Sequence, residues 1–173
     1  MISQFDFAIL NFIQDHFRNG FMDMLMKLIT SLGNHGILYI AITIGLLLFS
    51  KTRKEGKTMA AAQIAGVIIC SVILKNAFAR VRPFNATDFE LIISAPTDFS
   101  FPSGHTLHAF ITAAVLYSSY RKWGIAAYAL ALVMAFSRMY LYVHYPSDVV
   151  AGAIIGCFIG LVAVTISKRK TSI

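Results

Sequence analysis

The chain has 173 residues, of which 57% are hydrophobic, and its mean hydropathy is +0.69. Soluble domains are about 45–50% apolar, and the excess here falls in long uninterrupted runs, so the composition excludes an ordinary soluble protein and indicates one integral membrane domain. The net charge is +7, but nine of the fifteen Lys and Arg residues fall in three clusters beside apolar runs, at 51–57, 121–122 and 168–170. That placement is typical of cytoplasmic loops and argues against nucleic-acid binding.

The N-terminal segment predicts helices that lie in the membrane interface. The large apolar residues of 2–17 can share one helical face, with Asp6 outside it. Residues 21–32 predict a second short helix, and the stretch 33–36 (GNHG) predicts a turn after it. The first basic residue is Arg18, so no secretory signal peptide is expected.

Five apolar runs are long enough to span a bilayer, and they lie at 30–50, 58–80, 103–120, 123–142 and 147–167. With the basic clusters in the cytoplasm, three polar segments meet on the outer face: the end of the second span, the start of the third, and the junction of the last two. The prediction is a single all-α domain over 1–173, a polytopic bundle of about five to six transmembrane helices with an N-terminal amphipathic helix. Within it, residues 1–32 form the interfacial helices and 58–167 the core, which carries the three polar segments.

Two sets of small residues concern packing. Gly152, Gly156 and Gly160 repeat every four residues, which lets helices approach closely. Contact within the chain is the favoured use, and a homodimer contact is the alternative. Cys70 and Cys157 lie in apolar runs and predict buried thiols without a disulfide.

The segment 101–106 (FPSGHT) predicts the start of a helix. Pro102 cannot lie inside a helix, and Ser103 is a favoured N-cap residue. The first N–H groups of the helix have no intrahelical partner, and Gly104 leaves room for an anion to approach them. With the hydroxyl of Ser103 and the imidazole of His105, this helix start predicts a phosphate site with a proton donor.

Basic side chains from two other segments lie near the same face. Lys75 and Arg82 are seven residues apart, which is two helical turns if the helix continues. Lys75 lies farther inside the predicted second span than Arg82, too deep for its ammonium group simply to reach the membrane surface by extending its side chain. Arg138 stands in an apolar run with no acidic residue nearby in sequence, and such a residue usually has a buried partner or a substrate.

His144 and Asp148 flank a proline turn before the last span. Their spacing of four residues lets the carboxylate hold one imidazole nitrogen and leave the other free to attack, as in catalytic triads. Asp148 alone could also serve as a simple helix cap.

Together these residues suit phosphoryl transfer, in which fixed cations stabilise the charge of the transition state and two imidazoles divide nucleophilic and acid catalysis. The motifs Lys-x6-Arg-Pro at 75–83, Pro-Ser-Gly-His at 102–105 and Ser-Arg-x5-His-x3-Asp at 137–148 resemble those of the type 2 phosphatidic acid phosphatase (PAP2) superfamily, including its small bacterial members such as undecaprenyl pyrophosphate phosphatases.

The resemblance implies that His144 attacks phosphorus and forms a phosphohistidine, that His105 protonates the leaving group, and that Asp148 orients His144. It also implies a set of phosphate-binding residues: Lys75, Arg82, Ser103, Gly104 and Arg138. The expected substrate is a lipid phosphate, the expected site faces the periplasm or cell exterior, and no metal or cofactor is expected.

Several alternatives remain open from the sequence. The lipid is either a polyprenyl diphosphate, with undecaprenyl diphosphate favoured, or a glycerophospholipid phosphate such as phosphatidylglycerol phosphate or phosphatidate. A transporter of phosphate-bearing molecules is a more distant alternative, because no internal repeat is evident. His108 follows His105 at metal-ligand spacing, but a polar residue at the pocket rim is favoured. Asp98, in the polar loop 84–100, is expected to be solvated.

Overall fold

The computed structural model describes residues 2–169, which are helices joined by turns and one long loop, with no strand in that range. The helices are α1 Ile2–Phe17, α2 Gly20–Gly33, α3 Ile37–Leu48, α4 Arg53–Val67, α5 Lys75–Phe78, α6 Pro83–Thr87, α7 Gly104–Ser119, α8 Arg121–Tyr140 and α9 Pro146–Arg169. A 3₁₀ turn, Asn34–Gly36, separates α2 from α3, and a π-helical segment, Ile68–Leu74, joins α4 to α5. The predicted all-α membrane bundle is therefore confirmed.

Within the described residues, four helical stretches are long and apolar enough to cross a membrane: Gly20–Leu48, Arg53–Thr87, Arg121–Tyr140 and Pro146–Arg169. The first begins earlier than predicted, because α2 and α3 form one broken stretch whose break lies at His35 and Gly36, with φ of 52° and 72°. The third predicted span is α7, which has 16 residues and is about 24 Å long at 1.5 Å per residue. That is shorter than the hydrocarbon core of about 30 Å.

Helix α7 is the centre of the bundle and packs against α8, α9 and α4. Its buried side chains include Leu107 and Ile111, which join α4 and α9 in one core. Gly152 and Gly160 of α9 face α7, where an added Cβ would lie 2.7 Å from the Ser103 carbonyl oxygen and 2.7 Å from the Ala114 Cβ, respectively. Gly156 likewise faces the Leu107 carbonyl. The glycine stripe thus serves packing within the chain, where all three glycines are buried, and the alternative of a homodimer contact stays a prediction.

The helix that carries Lys75 does not reach Arg82. The backbone N–H of Lys75 donates to the Cys70 carbonyl, a π-type bond that adds one residue to the turn. Ala79 then adopts a left-handed conformation with φ of 43° and ends α5. The prediction that helical spacing places Lys75 and Arg82 on one face is therefore wrong, although both side chains meet at Asp98.

Helix α1 lies across the junction of α8 and α9. Gln14 Nε2 donates to the Tyr140 carbonyl at 2.8 Å, and Leu10 is fully buried. Phe5 and Phe12 point outwards, with 69% and 54% of their surfaces exposed. Asp6 belongs to the inward face, where it is 1% exposed beside Leu10 and Ile13, so the predicted separation of Asp6 from the apolar residues of α1 does not hold for Ile13.

The described residues of the three basic clusters gather at the end of the bundle where α7 finishes, and Lys170 lies outside the described residues. Lys54, Ser119 and Lys168 line one small cavity there, and Thr58 Oγ1 lies 2.9 Å from Ser167 Oγ. Helix α7 starts at the other end with Gly104, so the clustered cations and the motif histidines lie at opposite ends of the bundle.

Candidate active site

The three motifs converge on one cavity of about 1110 Å³. Six of the predicted site residues line it: Lys75, Arg82, Gly104, His105, Arg138 and His144. Asp148 lies behind His144 and is fully buried. The polar ends of α5, α7, α8 and α9 therefore meet as the orientation of the spans predicted.

His144 is held between a cation and a carboxylate. Arg82 Nη1 lies 3.2 Å from His144 Nε2. Because a guanidinium can only donate, Nε2 accepts, and the ring proton is on Nδ1. Nδ1 faces Asp148 Oδ2 at 3.5 Å, longer than a well-formed hydrogen bond. Burial, together with the positive charges of Arg82 and Arg138, holds the pKa of His144 well below its usual range, so the ring is neutral and its Nε2 lone pair points towards the cations.

Asp148 is fixed by donors from three parts of the chain. Its Oδ2 accepts from Ser100 Oγ at 2.5 Å and from the Tyr145 backbone N–H at 3.0 Å. Its Oδ1 accepts from Arg80 Nη1 at 2.6 Å. This carboxylate is therefore oriented far more firmly than a simple helix cap.

Arg80 connects Asp148 to α1. Its Nη2 lies 2.7 Å from Asp6 Oδ2, and Asp6 also accepts from the backbone N–H and the hydroxyl of Ser147, at 2.9 and 2.7 Å. No pattern in the sequence pointed to a role for Arg80. Asp6 carried no signal except that it is an acid in an otherwise amphipathic segment.

Two arginines approach the cavity with different partners. Arg82 Nη1 donates to the Val143 carbonyl at 2.7 Å, and its Nε donates to the Asp98 carbonyl at 2.8 Å. Arg138 Nη1 donates to Thr30 Oγ1, while its buried Nε has no partner among the described residues. An unpaired buried donor is costly unless a ligand satisfies it, so Arg138 is suited to hold an anion in the cavity.

The start of α7 differs from the prediction at Ser103. Its hydroxyl is fully buried and lies 2.9 Å from Thr106 Oγ1, and its N–H donates to the Asp148 carbonyl at 3.1 Å. The hydroxyl is thus engaged within α7 rather than exposed to the cavity. Leu107 makes the first intrahelical bond back to Ser103, so the N–H of Gly104, on the cavity wall, remains available to an anion.

His105 lies against the break between α2 and α3. Its Nε2 lies 3.2 Å from Asn34 Oδ1, and a Cβ added at Gly33 would be 2.5 Å from its Cδ2. Its carbonyl accepts from Tyr39 at 3.1 Å. The sequence identified Gly33 and Asn34 only as a loose turn, whereas the structure uses them to position this imidazole.

His108 lies on the cavity wall, where its Nδ1 is 2.5 Å from Gln63 Oε1. Within residues 2–169, no group of three or more His, Cys, Asp or Glu side chains is placed to hold a metal ion. The site therefore presents a neutral, oriented imidazole, a second imidazole, three cations and a helix N-terminus around one space, which suits attack on a phosphate ester or anhydride.

Comparisons with known proteins agree with this chemistry. The family model described as the PAP2 superfamily matches residues 56–172. The undecaprenyl-diphosphatase of Sulfolobus acidocaldarius is 33% identical over 94% of this chain and 77% of its own length. The lipid A 1-phosphatase of Rhizobium johnstonii is 30% identical over 87% of this chain and 65% of its own.

The crystal structure of a PAP2-type phosphatidylglycerolphosphate phosphatase from Bacillus subtilis superposes with a TM-score of 0.79 and 27% identity, over 97% of this chain and 87% of that one. Likeness of this extent in sequence and in fold, over the region that holds all three motifs, means that this chain belongs to the PAP2 superfamily and is an integral-membrane lipid phosphatase.

Proposed function

We propose that this phosphatase hydrolyses a polyprenyl diphosphate, with undecaprenyl diphosphate as the favoured substrate, through a phosphohistidine at His144. The observation that carries the proposal is the shape of the cavity. One end holds the cations and imidazoles, and the other is lined by apolar side chains of α3 and α4, including Ile40, Ile44, Ile64 and Val67.

Those apolar residues also face outwards. Ile40 and Ile44 of α3 are 54% and 51% exposed, and Ile64 and Val67 of α4 are 62% and 48% exposed. On a membrane helix, such a surface contacts lipid. The cavity therefore opens sideways between α3 and α4, so a lipid tail can stay in the bilayer while its phosphate reaches His144.

The proposed reaction has two steps. His144 Nε2 attacks the terminal phosphorus, the bond from that phosphorus to the bridging oxygen breaks, and His105 gives the leaving oxygen a proton. Water then attacks the phosphohistidine, gives its proton to His105, and releases inorganic phosphate. Asp148 stabilises the positive ring of His144, while Lys75, Arg82, Arg138 and the Gly104 N–H hold the phosphate oxygens.

The choice of a diphosphate is supported by the relative from Sulfolobus acidocaldarius, which is named an undecaprenyl-diphosphatase. Phosphatidylglycerol phosphate is the second candidate, supported by the name of the structural neighbour from Bacillus subtilis. A transporter is not retained, since the family is one of phosphatases. We also propose that the site faces the periplasm or cell exterior, because the clustered cations lie at the opposite end of the bundle.

The substrate is tested by measuring inorganic phosphate released by the purified full chain, in detergent with EDTA, from undecaprenyl diphosphate, phosphatidylglycerol phosphate and phosphatidate. We expect the highest kcat/KM on undecaprenyl diphosphate, undiminished by EDTA. A higher value on phosphatidylglycerol phosphate would select the second candidate, and activity lost to EDTA and restored by a divalent metal would overturn the metal-independent mechanism.

The histidine roles are tested with a leaving group that needs no proton. His105→Ala should lose about 10²–10⁴-fold on phosphatidylglycerol phosphate, whose alkoxide leaving group needs a proton, but much less on a nitrophenyl phosphate, whereas His144→Ala should lose both activities and any trapped phosphoprotein. If the nitrophenyl ester rescued His144→Ala instead, the two roles would be reversed.

A further inference from the structure

Asp98, in the loop between α6 and α7, bridges the two cations at the mouth of the cavity. Its Oδ1 lies 2.6 Å from Arg82 Nη2, and its Oδ2 forms an ion pair with Lys75 Nζ. A carboxylate that joins an arginine fork to a lysine takes the same position that two oxygens of a bound phosphate would take.

The other donors of Arg82 are already occupied. Its Nη1 donates hydrogen bonds to the Val143 carbonyl and to His144 Nε2, and its Nε donates to the Asp98 carbonyl. A phosphate that binds Arg82 must therefore replace the Asp98 carboxylate at Nη2. Lys75 has three donors, one of which Asp98 uses, and a phosphate between the two cations would meet the charge of that carboxylate.

Asp98 is placed so that it can leave. Its side chain is 55% exposed, whereas those of Lys75 and Arg82 are 7% and 3% exposed. The residue lies in a loop, between helices that end at Thr87 and start at Gly104. Rotation of one side chain into water frees both cations without moving a helix.

We propose that Asp98 is an internal competitor of the phosphate group. It occupies Lys75 and Arg82 in the free enzyme, gives way to the substrate phosphate, and returns to help displace inorganic phosphate after hydrolysis. This inference rests on the proposed assignment of Lys75 and Arg82 as phosphate ligands, and it names Asp98 as the residue that sets how tightly phosphate is held.

The competition persists over the working pH range. Burial alone raises the pKa of Asp98, but the hydrogen bond and charge of Lys75, with those of Arg82, lower it to about 2. The carboxylate is therefore ionised above about pH 3, so protonation does not free the cations at neutral pH. A phosphate dianion carries more charge than the carboxylate and can displace it when its remaining oxygens reach Arg138 and the start of α7.

A purely structural role makes the opposite prediction. If Asp98 served to hold Lys75 and Arg82 in position for the substrate, its removal would let the two cations repel each other and would weaken phosphate binding. The sign of the change in phosphate affinity therefore separates the two roles.

The test is the dissociation constant of inorganic phosphate, measured by calorimetry and as product inhibition, for the full chain in detergent. Asp98→Asn and Asp98→Ala should each bind phosphate about tenfold more tightly, a change of 1.4 kcal/mol. They should also show stronger product inhibition and a lower KM, with kcat limited by phosphate release. Glu90→Gln, which removes one charge from an exposed position of the same loop, should bind phosphate as the unmodified chain does.

Unchanged or weaker phosphate binding in either folded Asp98 variant would overturn the proposal. Two further variants keep this outcome distinct from an error in the site assignment. Lys75→Ala and Arg82→Ala should lose phosphate binding whether or not Asp98 competes with the phosphate. Unaltered binding in both of them would instead contradict the proposed phosphate site.

Discussion

Gly152 sets the distance between α9 and the first turn of α7, so we expect Gly152→Ala to damage catalysis more than stability. An added Cβ would lie 2.7 Å from the Ser103 carbonyl oxygen and 3.4 Å from the Thr106 Cβ. Carbon–oxygen contacts are comfortable at about 3.4 Å. The two backbones must therefore separate by roughly 0.7 Å, since neither atom belongs to a flexible side chain.

That displacement acts directly on the site. The Ser103 N–H donates to the Asp148 carbonyl at 3.1 Å, so movement of either helix start shifts the Gly104 N–H relative to His144. A misplacement of about 1 Å can cost about 10²-fold in rate, and we expect a fall in kcat of about 10- to 100-fold. Overpacking should cost about 1–3 kcal/mol of stability.

Two other glycines supply matched controls, assayed by phosphate release and by thermal unfolding in detergent. Gly160→Ala places a Cβ 2.7 Å from the Ala114 Cβ, farther along the same interface, and should lower stability while kcat is nearly kept. Gly45→Ala meets no atom within 4 Å, so it should leave kcat unchanged, and because it lies inside α3 it should not lower stability. Equal losses of kcat in Gly152→Ala and Gly160→Ala, or full activity in Gly152→Ala, would refute this account.

Three further predictions concern charge. Arg138→Lys keeps the charge but loses the planar fork, and kcat/KM should fall by about tenfold or more in a protein that still inserts; near-normal turnover would make Arg138 structural. Asp6→Asn removes a buried partner of Arg80 and should lower stability by about 1.5–3 kcal/mol, measured by thermal unfolding, whereas the exposed Asp15→Asn should not; equal stabilities would mean that the contact contributes nothing. With the native cysteines replaced by alanine, a cysteine at Glu90 should react with an impermeant thiol reagent in intact cells and one at Lys51 should not; the reverse pattern would contradict the proposed orientation.

The convergence of the motifs was predictable because membrane topology leaves few arrangements. Basic clusters fix which ends of the spans lie together, and intramembrane ionisable residues have few reasons to exist outside a site. His144, Asp148 and Arg138 were found in this way, and the spacing of four residues did place the imidazole beside the carboxylate.

Local backbone breaks were not predictable from periodicity. Nothing in residues 68–79 marks the π-helical segment at Ile68–Leu74 or the left-handed conformation of Ala79. The conclusion that Lys75 and Arg82 converge was right, but the helical reason given for it was wrong. Ser103 shows the same limit, since Thr106 is one of several hydrogen-bond partners available to a hydroxyl at a helix start.

Long-range polar contacts were also invisible in the sequence. A carboxylate in an amphipathic helix normally faces solvent, and only the fold reveals that Asp6 meets Arg80 across 74 residues of chain. In the sequence Asp98 is one acid of a polar loop, and only the fold reveals that it forms ion pairs with Lys75 and Arg82.

The contact between Asp6 and Ser147 joins residues 141 positions apart, and it has a consequence for how the enzyme is made. A ribosome delivers α1 first and α9 last, so the carboxylate that orients His144 gains its support from Arg80 and Asp6 only after the last helix has left the translocon. A chain that ends before α9 holds Lys75 and Arg82 but not Asp148, the proposed orienting acid of His144. Catalytic competence is therefore tied to the completion of insertion, because Asp6 meets Ser147 only when both α1 and α9 are in place.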